Sequence, residues 1–155
     1  MIRSGWSLRL FDALAARRIQ WWTPARRVAA LLPPLLLMVA IFFVSSLPSA
    51  PRSVSANPFD FVPPALNNLL HIPAFGLLTL LWLRGVEALG CGPRARYFCA
   101  PAIAFLFGLF NEWHQLSVPG RYGSILDVGF NLLGILLVLS LCVLAERRRG
   151  APSSI

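Results

Sequence analysis

The sequence predicts an all-α polytopic membrane protein, an antiparallel bundle of four transmembrane helices in a single chain of 155 residues. Three observations carry that expectation. Hydrophobic residues make up 57% of the chain against 13% charged, whereas a soluble domain carries about 25% charged residues. Four apolar runs approach the length of about 20 residues that a helix needs to cross a hydrocarbon layer of about 30 Å. The runs are continuous and lack the period-2 alternation of a barrel strand, and in lipid only a helix or a closed barrel satisfies every backbone hydrogen bond.

Residues 1–27 form a basic segment ahead of the first run. Apolar residues such as Trp6, Leu10, Phe11, Leu14 and Trp21 recur at helical spacing around a narrower polar face of Arg9, Asp12 and Gln20, which describes an interfacial helix. The same segment also reads as a frayed tail, because Arg17 and Arg18 sit on the edge of the apolar arc. The membrane domain, residues 28–145, follows. Its first span, 28–47, is too long for the apolar core of a cleavable signal and reads as a retained anchor. The second, 65–83, carries Asn67, Asn68, His71 and Pro73 in its first half; the third, 97–115, stays apolar as far as Asn111 and Glu112; the fourth, 125–145, is nearly free of charge. Residues 146–155 form a basic tail.

Orientation follows from the charges that flank the spans. All 14 basic residues are arginine. Twelve of them lie with Asp12, Glu87 and Glu146 on the side of the termini, a net +9, and only Arg52 and Arg121 lie with Asp60, Glu112 and Asp127 on the other, a net −1. The positive-inside rule therefore places both termini in the cytoplasm of a multi-pass inner-membrane protein. The basic tails are explained by orientation and anionic lipid, so no nucleic-acid partner is expected. Cys91, Cys99 and Cys142 fall on the same reducing side, are odd in number and fit no zinc spacing, which reads as small apolar packing residues.

The polar residues of all four spans collect at the opposite, outer end: Ser45 and Ser46, then Asn67, Asn68 and His71, then Asn111, Glu112, His114 and Gln115, then Asp127 and Asn131. His71 and Asn131 each lie about six residues inside their spans, roughly 9 Å below the membrane boundary, where a polar group must face the bundle interior or a wet cavity. Asp127, Asn131 and Gly134 fall on one helical stripe, and Gly108, Glu112 and Gln115 on another. The glycines let neighbouring helices approach closely. Between the two stripes, Pro119 and Gly120 have the signature of a type II turn, and Ser124 is placed to cap the fourth span with Asp127 in its first turn. Arg121 is the one strong cation near this end, on a short hairpin between two acids.

Glu112-x-His114-Gln115, then Pro119-Gly120-Arg121, then Ser124, Asp127, Asn131 and Gly134, resembles the signature of the VanZ-like family of small bacterial membrane proteins. Ser45-Ser46 resembles that family's paired-serine element and His71 its second-helix histidine, and the four-span layout covers nearly the whole chain. Asn67, Asn68 and Phe75 depart from the pattern, standing where the family often has Asp, Lys and Tyr. The resemblance implies a cell-envelope setting and, through the protein for which the family is named, a link to resistance to the glycopeptide teicoplanin. It supplies no reaction.

Three functions are compatible with these residues. The preferred one is a non-enzymatic envelope protein that binds an anionic lipid-linked or carboxylate ligand through Arg121, Glu112, Gln115, Asp127, Asn131 and His71. The second is a membrane enzyme acting on a lipid-linked envelope precursor, with Glu112 or Asp127 as general acid or base and Arg121 stabilising charge. The third is a structural or assembly subunit, in which the same charges staple the hairpin together. His71 reads as an interhelical hydrogen-bonding group, and His114 as facing headgroups beside Trp113. Candidate metal ligands come from separate helices without a compact motif, so neither a metal nor another cofactor is expected. The absence of a Gly-rich phosphate loop, a G-x-S-x-G elbow or a C-x-x-C pair removes support for nucleotide and serine-hydrolase chemistry.

Overall fold

A computed structural model of the chain describes residues 23–49 and 68–150. Among these residues every regular element is a helix: α1 Pro24–Ala29, α2 Leu32–Ser45, α3 His71–Ala88, α4 Pro93–Gln115 and α5 Ile125–Gly150. The amphipathic segment before Thr23, Asn67 and the C-terminal residues after Gly150 lie outside the described residues, as do Arg52 and Asp60.

The expected first span is two helices rather than one. Thr23 caps α1, its hydroxyl accepting from the Arg26 amide at 3.4 Å, and Pro24 opens the helix where its missing N–H is harmless. Pro33 and Pro34 then interrupt the ladder, because neither can donate to a carbonyl four residues earlier, and the chain passes through a turn at Ala30–Leu31 before α2 continues. Of the second expected span, 65–83, residues 65–67 lie outside the described residues; Asn68 and Leu69 are helical, and a turn at Leu70 separates them from α3, which begins at His71. Pro73 is the physical reason, since its nitrogen cannot bond the Leu69 carbonyl that would join the two. α4 begins one turn before the expected start, with Pro93 in its first turn, and α5 runs about a turn beyond residue 145.

α3 is the central element, packed against α2, α4 and α5. Its core side chains Phe75, Leu78, Trp82 and Leu83 meet Ala100, Ala104 and Phe107 of α4 and Ile135 of α5. α3 and α5 approach closely at glycines, Gly134 allowing it as its stripe implied. A Cβ on Gly76 would lie 3.1 Å from Val138 Cγ2 and 3.3 Å from the Gly134 carbonyl oxygen, and one on Gly134 would collide with the Ile72 carbonyl oxygen of α3. Outward-facing side chains are apolar instead of charged: Leu36, Val39 and Phe43 on α2, Leu106 and Phe110 on α4, and Leu136 and Leu141 on α5 are exposed. Two stretches, Pro24–Ser45 and Ile125–Arg147, are long and apolar enough to cross a membrane, and only 11% and 17% of their most apolar windows are buried within the chain. A core helix of a soluble protein would show the opposite balance.

At the end where α3 meets α4, the chain turns through a Schellman motif. Gly90 adopts φ +88°, its amide bonds the Glu87 carbonyl, and the Cys91 amide reaches back to Val86. Arg96 of α4 then pairs with Glu87 of α3 at 3.0 Å and with Glu146 of α5, joining three helices at this end. Cys99 and Cys142 pack against the core as expected, whereas Cys91 is exposed on the turn and packs nothing.

Candidate functional site

The polar residues picked out by spacing converge at the other end. The hairpin between α4 and α5 has the geometry its sequence dictates: Gly120 lies at φ +73° and the Arg121 amide donates to the Val118 carbonyl at 3.1 Å, closing the type II turn. Ser49 on the chain leaving α2 donates its amide to the Pro119 carbonyl at 3.1 Å, which fastens the hairpin to the end of α2. Ser124 caps α5 as its position implied. Its hydroxyl accepts from the Leu126 amide at 3.2 Å and its carbonyl from Asp127 and Val128. Its own amide donates to Glu112 Oε2 at 3.2 Å, so the carboxylate at the end of α4 is fixed against the start of α5.

Glu112, Asp127 and Asn131 are all buried, at 5%, 7% and 1% exposure, and His71 of α3 completes the group. His71 Nδ1 donates to Asn131 Oδ1 at 2.9 Å and lies 4.0 Å from Glu112 Oε1. Its ring stacks on Phe75 one turn further along α3. Gly108 makes the arrangement possible, for a Cβ there would lie 3.0 Å from Phe75 and 3.1 Å from the Asn131 amide. One ligand atom each from His71, Glu112 and Asp127 falls within 4.8 Å of the others. Glu112 Oε1, Asp127 Oδ1 and Asn131 Nδ2 are buried and have no hydrogen-bond partner among the described residues.

Arg121 does not sit between the acids as its sequence position suggested. Among the described residues it pairs with no carboxylate; its Nε donates to the Leu47 carbonyl at 3.1 Å and its Nη2 to Val44 at 3.2 Å. The last carbonyls of a helix have no intrahelical donor, and the end of α2 therefore attracts the guanidinium more directly than acids held across the bundle. Arg121 borders a cavity of about 230 Å³ between α2 and α3, with Ser45, His71 and Gln115 as its other polar lining and Ile41, Val44, Leu70 and Phe75 among its apolar walls. His71 is thus shared: its Nδ1 faces Asn131 and Glu112, and its ring borders the cavity.

His114 turns inward, away from the headgroup position expected of it. Its Nε2 lies 2.9 Å from the Ser46 hydroxyl, which itself donates to the Phe42 carbonyl, and its ring packs 4.4 Å from that of Phe42. Trp113, its neighbour, is exposed as expected. The two serines ending α2 therefore have different work, Ser45 lining the cavity and Ser46 holding α4.

No curated protein and no solved structure matches the chain. A family model described as VanZ/LLP1 does, over residues 4–146, a stretch that takes in the serine pair, the half-buried His71 and the whole α4–α5 hairpin. By that match the chain belongs to the VanZ-like family.

Proposed function

We propose that the chain is an envelope protein of the bacterial inner membrane that holds the anionic group of a lipid-linked or carboxylate-bearing ligand in the cavity beside Arg121. In this reading four spans, α1 with α2 and then α3, α4 and α5, cross the bilayer in alternating directions, with the termini in the cytoplasm and the cavity at the outer leaflet. The charge partition of the sequence supports the orientation, and the exposed leucines and phenylalanines of α2, α4 and α5 support the lipid contact.

One observation carries the ligand class: an arginine on a cavity wall with no carboxylate partner among the described residues. A guanidinium has five N–H groups, and the α2 carbonyls engage two of its nitrogens, leaving donors for a phosphate or carboxylate. Apolar walls on the other side of the same cavity suit an amphiphile. The test is retention of phosphatidylglycerol by the purified protein in zwitterionic nanodiscs, measured by native mass spectrometry. Wild type should retain the anionic lipid, while Arg121→Gln and Gln115→Leu, checked for monodispersity, should lose most of it; equal retention in all three removes the reading. Thiol labelling at Ser153→Cys and Ser55→Cys in intact cells, with the native cysteines replaced, checks the orientation: protection at the first and reaction at the second are expected. Glycopeptide susceptibility of cells lacking the protein examines the link to teicoplanin.

A second reading, acid–base chemistry on a lipid-linked precursor, is favoured by the convergence of His71, Glu112 and Asp127. Glu112→Gln and Asp127→Asn would then abolish turnover of the precursor, yet leave ligand retention at Arg121 intact.

A further inference from the structure

We propose that His71, Glu112 and Asp127, with the Asn131 side-chain carbonyl, bind one first-row divalent cation between α3, α4 and α5. The site is distinct from Arg121, and the argument for it does not rest on which ligand fills the cavity. Four features argue for it together. One ligand atom from each of the three titratable residues lies within 4.8 Å of the others, although His71 and Asp127 are 56 positions apart in sequence. Two of the oxygens that face the group, Glu112 Oε1 and Asp127 Oδ1, are buried without a hydrogen-bond partner among the described residues, an arrangement that native interiors rarely leave unfilled. The two carboxylates have no arginine between them, because Arg121 is bound to the end of α2. A divalent ion supplies the two positive charges that a buried pair of carboxylates lacks.

The spacing suits such an ion. With metal–ligand distances of about 2.0–2.2 Å, ligands at right angles lie about 2.9 Å apart and opposite ligands about 4.2 Å apart. His71 Nδ1 is 2.9 Å from Asn131 Oδ1 and 4.0 Å from Glu112 Oε1, and the widest separation closes with a shift of roughly half an ångström, within the reach of side-chain adjustment. One imidazole nitrogen and three oxygens form a mixed set that suits Mn²⁺, Fe²⁺ or Zn²⁺. The Ser124 amide on Glu112 Oε2 is the outer hydrogen bond that orients a ligating carboxylate. On binding, the ring changes tautomer, giving up its Nδ1 proton and taking one on Nε2 so that it stays neutral, and both His71 Nδ1 and Asn131 Oδ1 turn their lone pairs to the ion.

The experiment uses the full chain purified in detergent, stripped with EDTA and reloaded with Mn²⁺ or Zn²⁺. Expected are one ion per chain by elemental analysis after desalting and, for Mn²⁺, a ¹⁴N hyperfine coupling from one histidine. His71→Ala should abolish that coupling, and Glu112→Gln or Asp127→Asn should weaken binding at least about tenfold. His114→Ala should keep both stoichiometry and coupling. A wild-type protein that is monodisperse and helical yet retains no ion overturns the proposal, whatever the variants do. So does retention that survives His71→Ala together with Asp127→Asn, or a nitrogen coupling lost only with His114.

Discussion

Gly134 is the position where a single methyl group should be felt through the whole polar end. In Gly134→Ala the new Cβ would collide with the Ile72 carbonyl oxygen and lie 3.1 Å from the Gly76 amide nitrogen, and both are backbone atoms of α3 that cannot swing aside. The helices must part. Overpacking of this kind costs typically 1–3 kcal/mol, and here the lower bound is offset by the roughly 1 kcal/mol that alanine gains over glycine within a helix. Gly129, five residues earlier on the same helix, isolates that second effect, since nothing lies within 4 Å of a Cβ there. Gly129→Ala should therefore stabilise by about 0.4–1 kcal/mol, while Gly134→Ala, net of the same gain, destabilises by up to about 2 kcal/mol. Reversible unfolding in mixed detergent micelles titrated with dodecyl sulfate measures both. The parting of α3 from α5 should also lengthen the 2.9 Å bond between His71 and Asn131, visible as faster exchange of the imidazole N–H proton. If Gly134→Ala proves as stable as Gly129→Ala, the glycine contact is not what sets the α3–α5 distance.

Removing Arg121 should destabilise as well as cost ligand. Arg121→Met takes two charge-assisted bonds from the Val44 and Leu47 carbonyls at the end of α2, a loss of about 1.5–3 kcal/mol per bond on the same unfolding assay, and Arg121→Lys should restore only part of it because a lysine lacks the guanidinium fork. Ser124→Ala removes the hydroxyl that caps α5 and should cost about 0.5–2 kcal/mol, with amide exchange accelerated selectively at Leu126. At the opposite end, Arg96→Met breaks ion pairs whose acidic partners Glu87 and Glu146 are 60% and 50% exposed, so its effect should stay within about 1 kcal/mol and shrink with added salt.

The helical class, the hairpin and the two stripes were legible in the sequence because each rests on local chemistry. Pro119-Gly120 specifies its turn whatever surrounds it, Ser124 can cap only the helix that follows, and Asp127, Asn131 and Gly134 share a face by helical geometry alone. The breaks within the expected spans fall at prolines inside apolar runs. Hydropathy sees residues 28–47 and 65–83 as continuous, whereas the backbone registers the missing donors of Pro33, Pro34 and Pro73. Partner choice was the least legible property. Arg121 lies between two acids in sequence, but the competing acceptors, Val44 and Leu47, are more than 70 residues away and become neighbours only when α2 is docked. His71 and Asp127 likewise have no common motif; the Gly76–Gly134 contact brings their helices together. The departure of Asn67 from the family pattern lies outside the described residues, while Phe75, where the family often has tyrosine, is buried beneath the His71 ring and next to Gly108.

His71 joins the proposed ion site to the cavity, and the tautomer of its ring makes the two interdependent. Without an ion, Nδ1 carries the proton it donates to Asn131 Oδ1, which leaves Nε2 as an acceptor in the neutral ring. Nε2 has no protein partner among the described residues, and the ring borders the cavity. With an ion on Nδ1 the proton must reside on Nε2, so the histidine presents a donor to the cavity alongside Arg121. An anion accepts hydrogen bonds and cannot donate them, and it should bind the metal-loaded protein more tightly. A change of one hydrogen bond from repulsive to favourable, worth about 1–3 kcal/mol, corresponds to roughly a five- to 150-fold gain. Linkage requires the anionic ligand to tighten the ion by the same factor. Phosphatidylglycerol retention measured with and without saturating Mn²⁺, and Mn²⁺ affinity measured with and without that lipid, should give matching ratios in wild type and ratios near one in Arg121→Gln, where no anion is held. Matching ratios near one in wild type would mean that the ion and the cavity share a residue without communicating through it.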